Sequence, residues 1–403
     1  MGGIQKRKIS ILGSTGSIGV NTLQVIASNP DRFEVVALAA GSNLERLVEQ
    51  AHLFRPRCVA VRGEEDARRL SQVLPVGVQV AFGSQGLKSV ASHPEADLVV
   101  SAIVGAAGLE PTSAAIEAKK NVAIANKESL VMAGSLLTRA AKKEGISLLP
   151  IDSEHSAIFQ LLQGEDRNAL EKVVLTASGG PFFGKTKREL RDVSPEEALQ
   201  HPRWRMGKKI TIDSATLANK ALEVVEARWL FDLQPSQIEV LIHPQSIVHS
   251  MVAFQDGSVL AQMAVADMKI PIAYALSYPE RISVEVPSLN LLEIRTLEFF
   301  SPDMETFPIL SLAYRALESK SSASVILNAA NEVAVQAFLD QQISFLEIYA
   351  LVREIFESHS SVEVQSIEEI LSWDALAREQ AYQILGKGDS LYPVLFKEME
   401  SKI

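Results

Sequence analysis

The chain has 403 residues, 47% hydrophobic and 22% charged, the balance of a folded globular protein of two or three domains. That excludes a collagen-like, coiled-coil or disordered organisation. A formal net charge of −10 offers no global attraction to nucleic acid or to an anionic membrane, so an anionic substrate needs a local set of donors.

The first third alternates short β-branched runs with amphipathic stretches. Strands are expected at 8–12, 34–39, 58–61, 78–82, 97–103, 121–125 and 147–151, with helices at 44–52, 64–73 and 109–119 among the segments between them. Such alternation predicts an α/β fold: a parallel, Rossmann-like sheet over 1–151, covered by helices, with ligands at the carboxyl ends of its strands. After Asp152 the pattern changes. Strands at 239–242, 246–254 and 258–265, the last two joined by Gln255-Asp256-Gly257, predict an antiparallel sheet in a central α+β domain over 152–282. Residues 283–308, with Pro287, Pro302 and Pro308, read as a linker, and 309–403 as a small helical domain with turns at 319–324 and 386–389. One cysteine, Cys58, rules out an intrachain disulfide. The apolar run 9–12 after Lys6-Arg7-Lys8 is too short for a signal peptide, and 98–109 is too short for a membrane span. The expected location is cytoplasmic, or the mature form of an imported protein, with neither membrane nor nucleic acid as partner.

Gly13-Ser14-Thr15-Gly16-Ser17-Ile18-Gly19 follows the first strand and opens a helical run. A tight turn leading to free helix N–H groups favours a pyrophosphate. The spacing G-x-x-G-x-x-G departs from G-x-G-x-x-G, and a ligand-free glycine turn is the other reading. The tip of strand two, Ala39-Ala40-Gly41-Ser42-Asn43, carries no acid until Glu45. It admits a 2′-phosphate and points to NADP, although Gly41 and Asn43 also suit a plain turn and helix cap.

Two segments concentrate polar chemistry. Asp152 and Glu154 end the strand at 147–151, and Asn219 and Glu223 stand at i and i+4 with Lys220 and Ser214 nearby. Hard oxygen donors without thiolates suit Mg²⁺ or Mn²⁺ rather than zinc. Alternatively, Asp152 caps a helix and Lys220 with Glu223 forms a surface pair. Between them, Ser178-Gly179-Gly180-Pro181 offers backbone amides to an anion. The loop at 201–209 sets Trp204 and Met206 among four cations, either as a lid or as a loop whose Trp packs on a neighbour.

Together with Asn126-Lys127-Glu128-Ser129, Asp213-Ser214-Ala215-Thr216 and Ile242-His243-Pro244-Gln245-Ser246, these motifs occur in one order along the chain. In that order the sequence closely resembles the 1-deoxy-D-xylulose 5-phosphate reductoisomerases over essentially its whole length. The resemblance implies an NADPH-dependent oxidoreductase of non-mevalonate isoprenoid biosynthesis. Its expected reaction is isomerisation and reduction of the ketose phosphate to 2-C-methyl-D-erythritol 4-phosphate, with Mg²⁺ or Mn²⁺ (Co²⁺ as a further candidate). It also implies a homodimer.

Residue by residue, the resemblance makes Asp152, Glu154 and Glu223 metal ligands, catalytic together with Lys127. Lys127, Ser153, Glu154, Ser178, His201, Trp204, Ser214, Asn219, Lys220 and Glu223 become substrate contacts. Thr15, Gly16, Ser17, Ile18, Gly41, Asn43, Asn126, Glu128 and Gly207 become cofactor contacts. The lid is 201–209, and Met268 lies near its pocket. One position departs from the family pattern: Ser42 stands where Arg or Lys is common, leaving Arg46 or Arg62 as substitutes at the 2′-phosphate. Two rival classes are weaker. A thiol-dependent aldehyde dehydrogenase needs a cysteine beyond the first domain, and Cys58 lies inside it. A non-catalytic NADP sensor has no use for the carboxylates.

Overall fold

The computed structural model describes residues 5–204 and 206–386. Arg205 of the expected lid, and all but Gly386 of the turn at 386–389, lie outside the described residues. The chain forms two compact units.

The first unit takes in residues up to Leu130, Gly134–Gln163 and Asp267–Leu289. Its strands are β1 (Arg7–Leu12), β2 (Phe33–Ala39), β3 (Cys58–Val61), β4 (Gln79–Phe82), β5 (Leu98–Ser101), β6 (Asn121–Ile124) and β7 (Leu148–Pro150). They lie in the order β4-β3-β2-β1-β5-β6-β7, every neighbour parallel. Strands such as β3 and β5 are buried at every residue, as expected when helices cover both faces. The order reverses between β1 and β5, so the loops that follow these strands open a crevice for a ligand. Helices α1 (Ser17–Ala27) and α2 (Leu44–Phe54) follow β1 and β2. The helix Lys269–Ser277, far along the chain, adds Ile272, Ala273, Ala275 and Leu276 to this unit's core. Arg7 Nη1 donates to its Leu276 carbonyl at 2.9 Å.

The second unit holds residues 164–266 and 290 onward, with three residues from 131 to 133. Its strands β8 (Leu170–Ala177), β9 (Ile238–Ile242), β10 (Val248–Phe254) and β11 (Val259–Met263) lie in the order β11-β10-β8-β9. This sheet is mixed, which corrects the antiparallel expectation. The β10–β11 hairpin is antiparallel with Gly257 at φ +84° in its turn, but β8 and β9 run parallel. A helical crossover that includes α3 (Lys208–Thr216) and α4 (Ala218–Phe231) returns the chain to the same end of the sheet before β9 begins. Strand β8 itself was unexpected because its last five residues are all buried, which erases the alternation that marks a strand.

Between Ser283 and Pro308 the described regular structure is the short helix Leu291–Ile294 and a bridge from Phe300 to Ile242. Helices then follow to Gly386, among them α5 (Ser322–Leu339) and α6 (Ile367–Gly386). Helix α5 is buried along nearly its whole length, and its Ile326, Ala330 and Ala334 share one core with Phe182, Ile212 and Ala215. No described helix is long and apolar enough to cross a membrane.

Candidate active site

The loop after β1 is built around backbone proximity. The amides of Gly13 and Ser14 both donate to the Ala39 carbonyl, at 2.9 and 2.8 Å. Gly13 has φ +84°, and a Cβ there would lie 2.5 Å from the Ala102 carbonyl oxygen after β5. Only glycine fits. Gly16 opens α1 without a side-chain cap, a helix start that suits its first-turn amides to an anion.

At the tip of β2, Asn43 Oδ1 accepts from Arg46 N at 3.1 Å and caps α2. The cap reading of Asn43 is therefore part of its role. Arg46 Nη1 donates to the Thr15 carbonyl at 3.3 Å, and a Cβ on Gly41 would lie 3.8 Å from Arg62 Nε. Two guanidinium groups flank a tip that has no acid before Glu45.

Asn126 is 2% exposed and ties together the loops after β5 and β6. Its Nδ2 donates to the carbonyls of Ile103 (2.6 Å) and Gly105 (3.0 Å) and to Glu128 Oε2 (3.0 Å). Its Oδ1 caps the next helix through Ser129 N at 3.1 Å. Lys127 follows, with Nζ 2.5 Å from Asp152 Oδ2, both side chains nearly buried. Asp152 occupies the N-cap position of helix Ser153–Leu161 but makes no cap hydrogen bond. Its carboxylate faces Lys127 instead, and Ser153 Oγ donates to Glu154 Oε2 at 2.5 Å.

In the second unit, α4 begins after Leu217 in the left-handed region, at φ +62°. Asn219, Lys220 and Glu223 then share one helix face, and both Asn219 and Lys220 donate to the Glu223 carboxylate. Lys220 is 3% exposed and Glu223 1%, so this is a buried ion pair rather than the surface pair allowed by spacing alone.

Ser178 and His201 meet as well. His201 Nδ1 accepts from the amides of Arg203 (3.1 Å) and Trp204 (2.9 Å). Its proton is thereby assigned to Nε2, which donates to Ser178 Oγ at 2.9 Å. Ser178 Oγ also accepts from Gly180 N at 3.1 Å, which leaves the hydroxyl proton for a ligand. Burial holds the His201 imidazole down to about 4, so it is neutral at physiological pH. Gly180 has φ +68°, and a Cβ there would lie 2.7 Å from the Ser214 carbonyl oxygen. The Ser-Gly-Gly loop therefore seats directly on α3 beside Ser214.

Trp204 is half-buried, its ring 6.2 Å from that of His249 on β10. The Trp204 ring thus packs on a neighbour, the second of the two readings offered for it. His249, the ring that Trp204 meets, was not singled out by sequence reasoning. It is buried, its pKa is lowered to about 4 chiefly by desolvation, and its only sequence signal is an imidazole inside an apolar strand. Met268 packs on the first unit's core.

The donors fit a hard divalent cation, because the buried acids offer carboxylate oxygens and the only cysteine, Cys58, lies in β3. Lys127 and Lys220 balance the charge of Asp152 and Glu223. A Rossmann sheet with a glycine-framed anion loop, joined in one chain to buried carboxylates, defines a dinucleotide-dependent oxidoreductase.

Comparison with known proteins makes this specific. Family models described as 1-deoxy-D-xylulose 5-phosphate reductoisomerase match residues 9–134, and models of its C-terminal domains match 148–231 and 263–380. The chain is 51% identical to the reductoisomerase of Geotalea uraniireducens, over 94% of this chain and 99% of that protein. The reductoisomerase of Chlorobaculum tepidum is also 51% identical, over 94% of this chain and 100% of its own length. The NADPH complex of the Zymomonas mobilis enzyme superposes with a TM-score of 0.89 at 41% identity, covering 94% of this chain and 99% of that one. A reductoisomerase solved with NADPH, fosmidomycin and magnesium gives a TM-score of 0.88 at 41% identity, covering 94% and 98%. The chain belongs to the 1-deoxy-D-xylulose 5-phosphate reductoisomerase family.

Proposed function

We propose that this chain isomerises 1-deoxy-D-xylulose 5-phosphate and reduces the product to 2-C-methyl-D-erythritol 4-phosphate, a step of non-mevalonate isoprenoid biosynthesis. The observation that carries this reading is 51% identity to a reductoisomerase over 94% of this chain and 99% of that protein. A relative solved with NADPH, fosmidomycin and magnesium supports the cofactors assigned here, NADPH and Mg²⁺ or Mn²⁺. When bound, NADPH supplies the hydride and the cation polarises the ketone oxygen as a Lewis acid.

Asp152, Glu154 and Glu223 are assigned as the cation's ligands, with Ser153 beside them. Lys127 stabilises negative charge as it develops on the substrate. Ser178, His201, Ser214, Asn219 and Lys220 hold the phosphate and hydroxyls, and the spare Ser178 proton supports that role. Thr15, Gly16, Ser17, Ile18, Gly41, Asn43, Asn126, Glu128 and Gly207 hold the nucleotide. The segment 201–209 closes over the substrate and excludes water. The enzyme acts as a homodimer in the cytoplasm. NADPH oxidation on adding the ketose phosphate, with and without Mg²⁺, tests the reading. It fails if no oxidation occurs with the metal present.

Two expected results arise here. NADPH is preferred over NADH, and Ser42→Asp shifts the preference toward NADH by setting a carboxylate against the 2′-phosphate. Dissociation constants for both nucleotides check this, and equal affinity of the unaltered enzyme for both overturns it. Trp204→Ala raises the KM for the ketose phosphate and lowers kcat with little change in melting temperature. A core Trp would cost roughly 3–5 kcal/mol instead, so a large fall in melting temperature with unaltered kinetics overturns the lid assignment.

A further inference from the structure

Helix α3 carries a polar seam that the site assignment leaves unused. Asp213 is 1% exposed, and its two carboxylate oxygens have different partners. Oδ2 accepts from Lys209 Nζ at 2.9 Å, and Oδ1 accepts from Asn331 Nδ2 at 2.7 Å, a bond spanning 118 positions. Asn331 is 1% exposed on α5, and its Oδ1 has no hydrogen-bond partner among the described residues. Among the described residues its side chain makes one hydrogen bond, to Asp213. Next to it, Glu332 accepts from Asn328 Nδ2 (3.1 Å) and from Arg378 Nη2 of α6 (2.7 Å). Arg378 is itself locked by two bonds to Asp374.

Burying an amide and a carboxylate in this apolar core is costly, and hydrophobic residues of similar size would pack there at less expense. What the pair fixes is position. Asp213 precedes Ser214, whose carbonyl meets the Gly180 backbone, and it holds Lys209 at the root of the lid. Lys208 and Lys209 stand in the first turn of α3, where the helix dipole disfavours cations, so Lys209 needs this counter-charge.

We infer that Asn331 is a positioning residue for the phosphate cradle: by fixing Asp213 it sets α3 against Ser178-Gly179-Gly180 and anchors the lid's root. The C-terminal helices thereby act on substrate binding without touching substrate. The inference rests on the substrate reading above.

Asn331→Ala tests it in the full-length enzyme. The expected result is a KM for the ketose phosphate raised about tenfold, the scale of one hydrogen bond to a charged group. The KM for NADPH stays within about twofold, because the nucleotide is assigned chiefly to the other unit. Inorganic phosphate, titrated by calorimetry, binds more weakly in the same proportion. Combining Asn331→Ala with Ser214→Ala gives losses smaller than their sum, since both act through one cradle. A lowered melting temperature with unchanged substrate KM and phosphate affinity overturns the inference, as does an equal rise in both KM values. Asn331→Ser, which keeps a donor, serves if the alanine variant does not fold. If the unaltered enzyme is inactive on the ketose phosphate, the functional reading fails by itself. Phosphate affinity then decides the inference: weakened supports it, unchanged overturns it.

Discussion

Glu223→Gln loses nearly all turnover and, by leaving the buried Lys220 ammonium without its counter-charge, also lowers stability by about 3–5 kcal/mol. The substitution removes the negative charge assigned to the cation but keeps one acceptor for Asn219 and Lys220, its donors in the structure. Charge stabilisation by a bound metal is worth several kcal/mol, so the loss spans orders of magnitude in rate. Chelation of the unaltered enzyme has the same effect, and Mg²⁺ or Mn²⁺ reverses it. Steady-state kinetics beside circular dichroism check both statements. Undiminished turnover in the chelated, metal-free enzyme overturns the ligand assignment. Affinity for NADPH changes little, because the glycine-framed loop belongs to β1 and α1.

Lys220→Met destabilises the metal-free protein by about 3–5 kcal/mol, the cost of leaving a buried carboxylate without its cation. The pair is 3% and 1% exposed, so water does little to solvate the remaining charge. Asn219 still donates to Glu223, but a neutral amide does not balance its charge. Saturating Mg²⁺ recovers part of the loss, since a divalent ion on Glu223 replaces the missing ammonium. Urea unfolding with and without the metal measures both effects. A loss below about 1 kcal/mol is what an exposed pair gives, and overturns this account. Phosphate binding weakens in either condition because Lys220 is also assigned to the substrate.

How much of this was legible beforehand follows from the range of each interaction. All seven strands of the first sheet were readable, because short apolar runs broken by helical stretches are local patterns. The β10–β11 hairpin was readable from Asp256-Gly257, where Gly257 takes the positive φ that favours glycine. Strand β8 escaped, since burial on both faces removes its period. His249 escaped too. An imidazole in a strand acquires meaning only when the Trp204 ring lies beside it.

Spacing raised alternatives that side-chain partners then separated. Asp152 does stand at a helix start, yet its carboxylate goes to Lys127 and not to the helix amides. Lys220 and Glu223 stand three apart as a surface pair would, but burial changes what they cost and what they do. Asn43 does cap α2, the role that spacing offered beside nucleotide contact.

By itself the sequence determined the α/β alternation, the glycine turn at the head of α1, the acid-free tip of β2 and the order of motifs that marks the family. Each of these is written in residues a few positions apart, where backbone sterics, helix period and side-chain reach decide the outcome. Tertiary structure alone decided the parallel pairing of β8 with β9, the return of Lys269–Ser277 to the first core, and the bond from Asn331 to Asp213. These depend on which buried surfaces fit together, and that complementarity is carried by residues 65 or more positions apart with no local period to announce them.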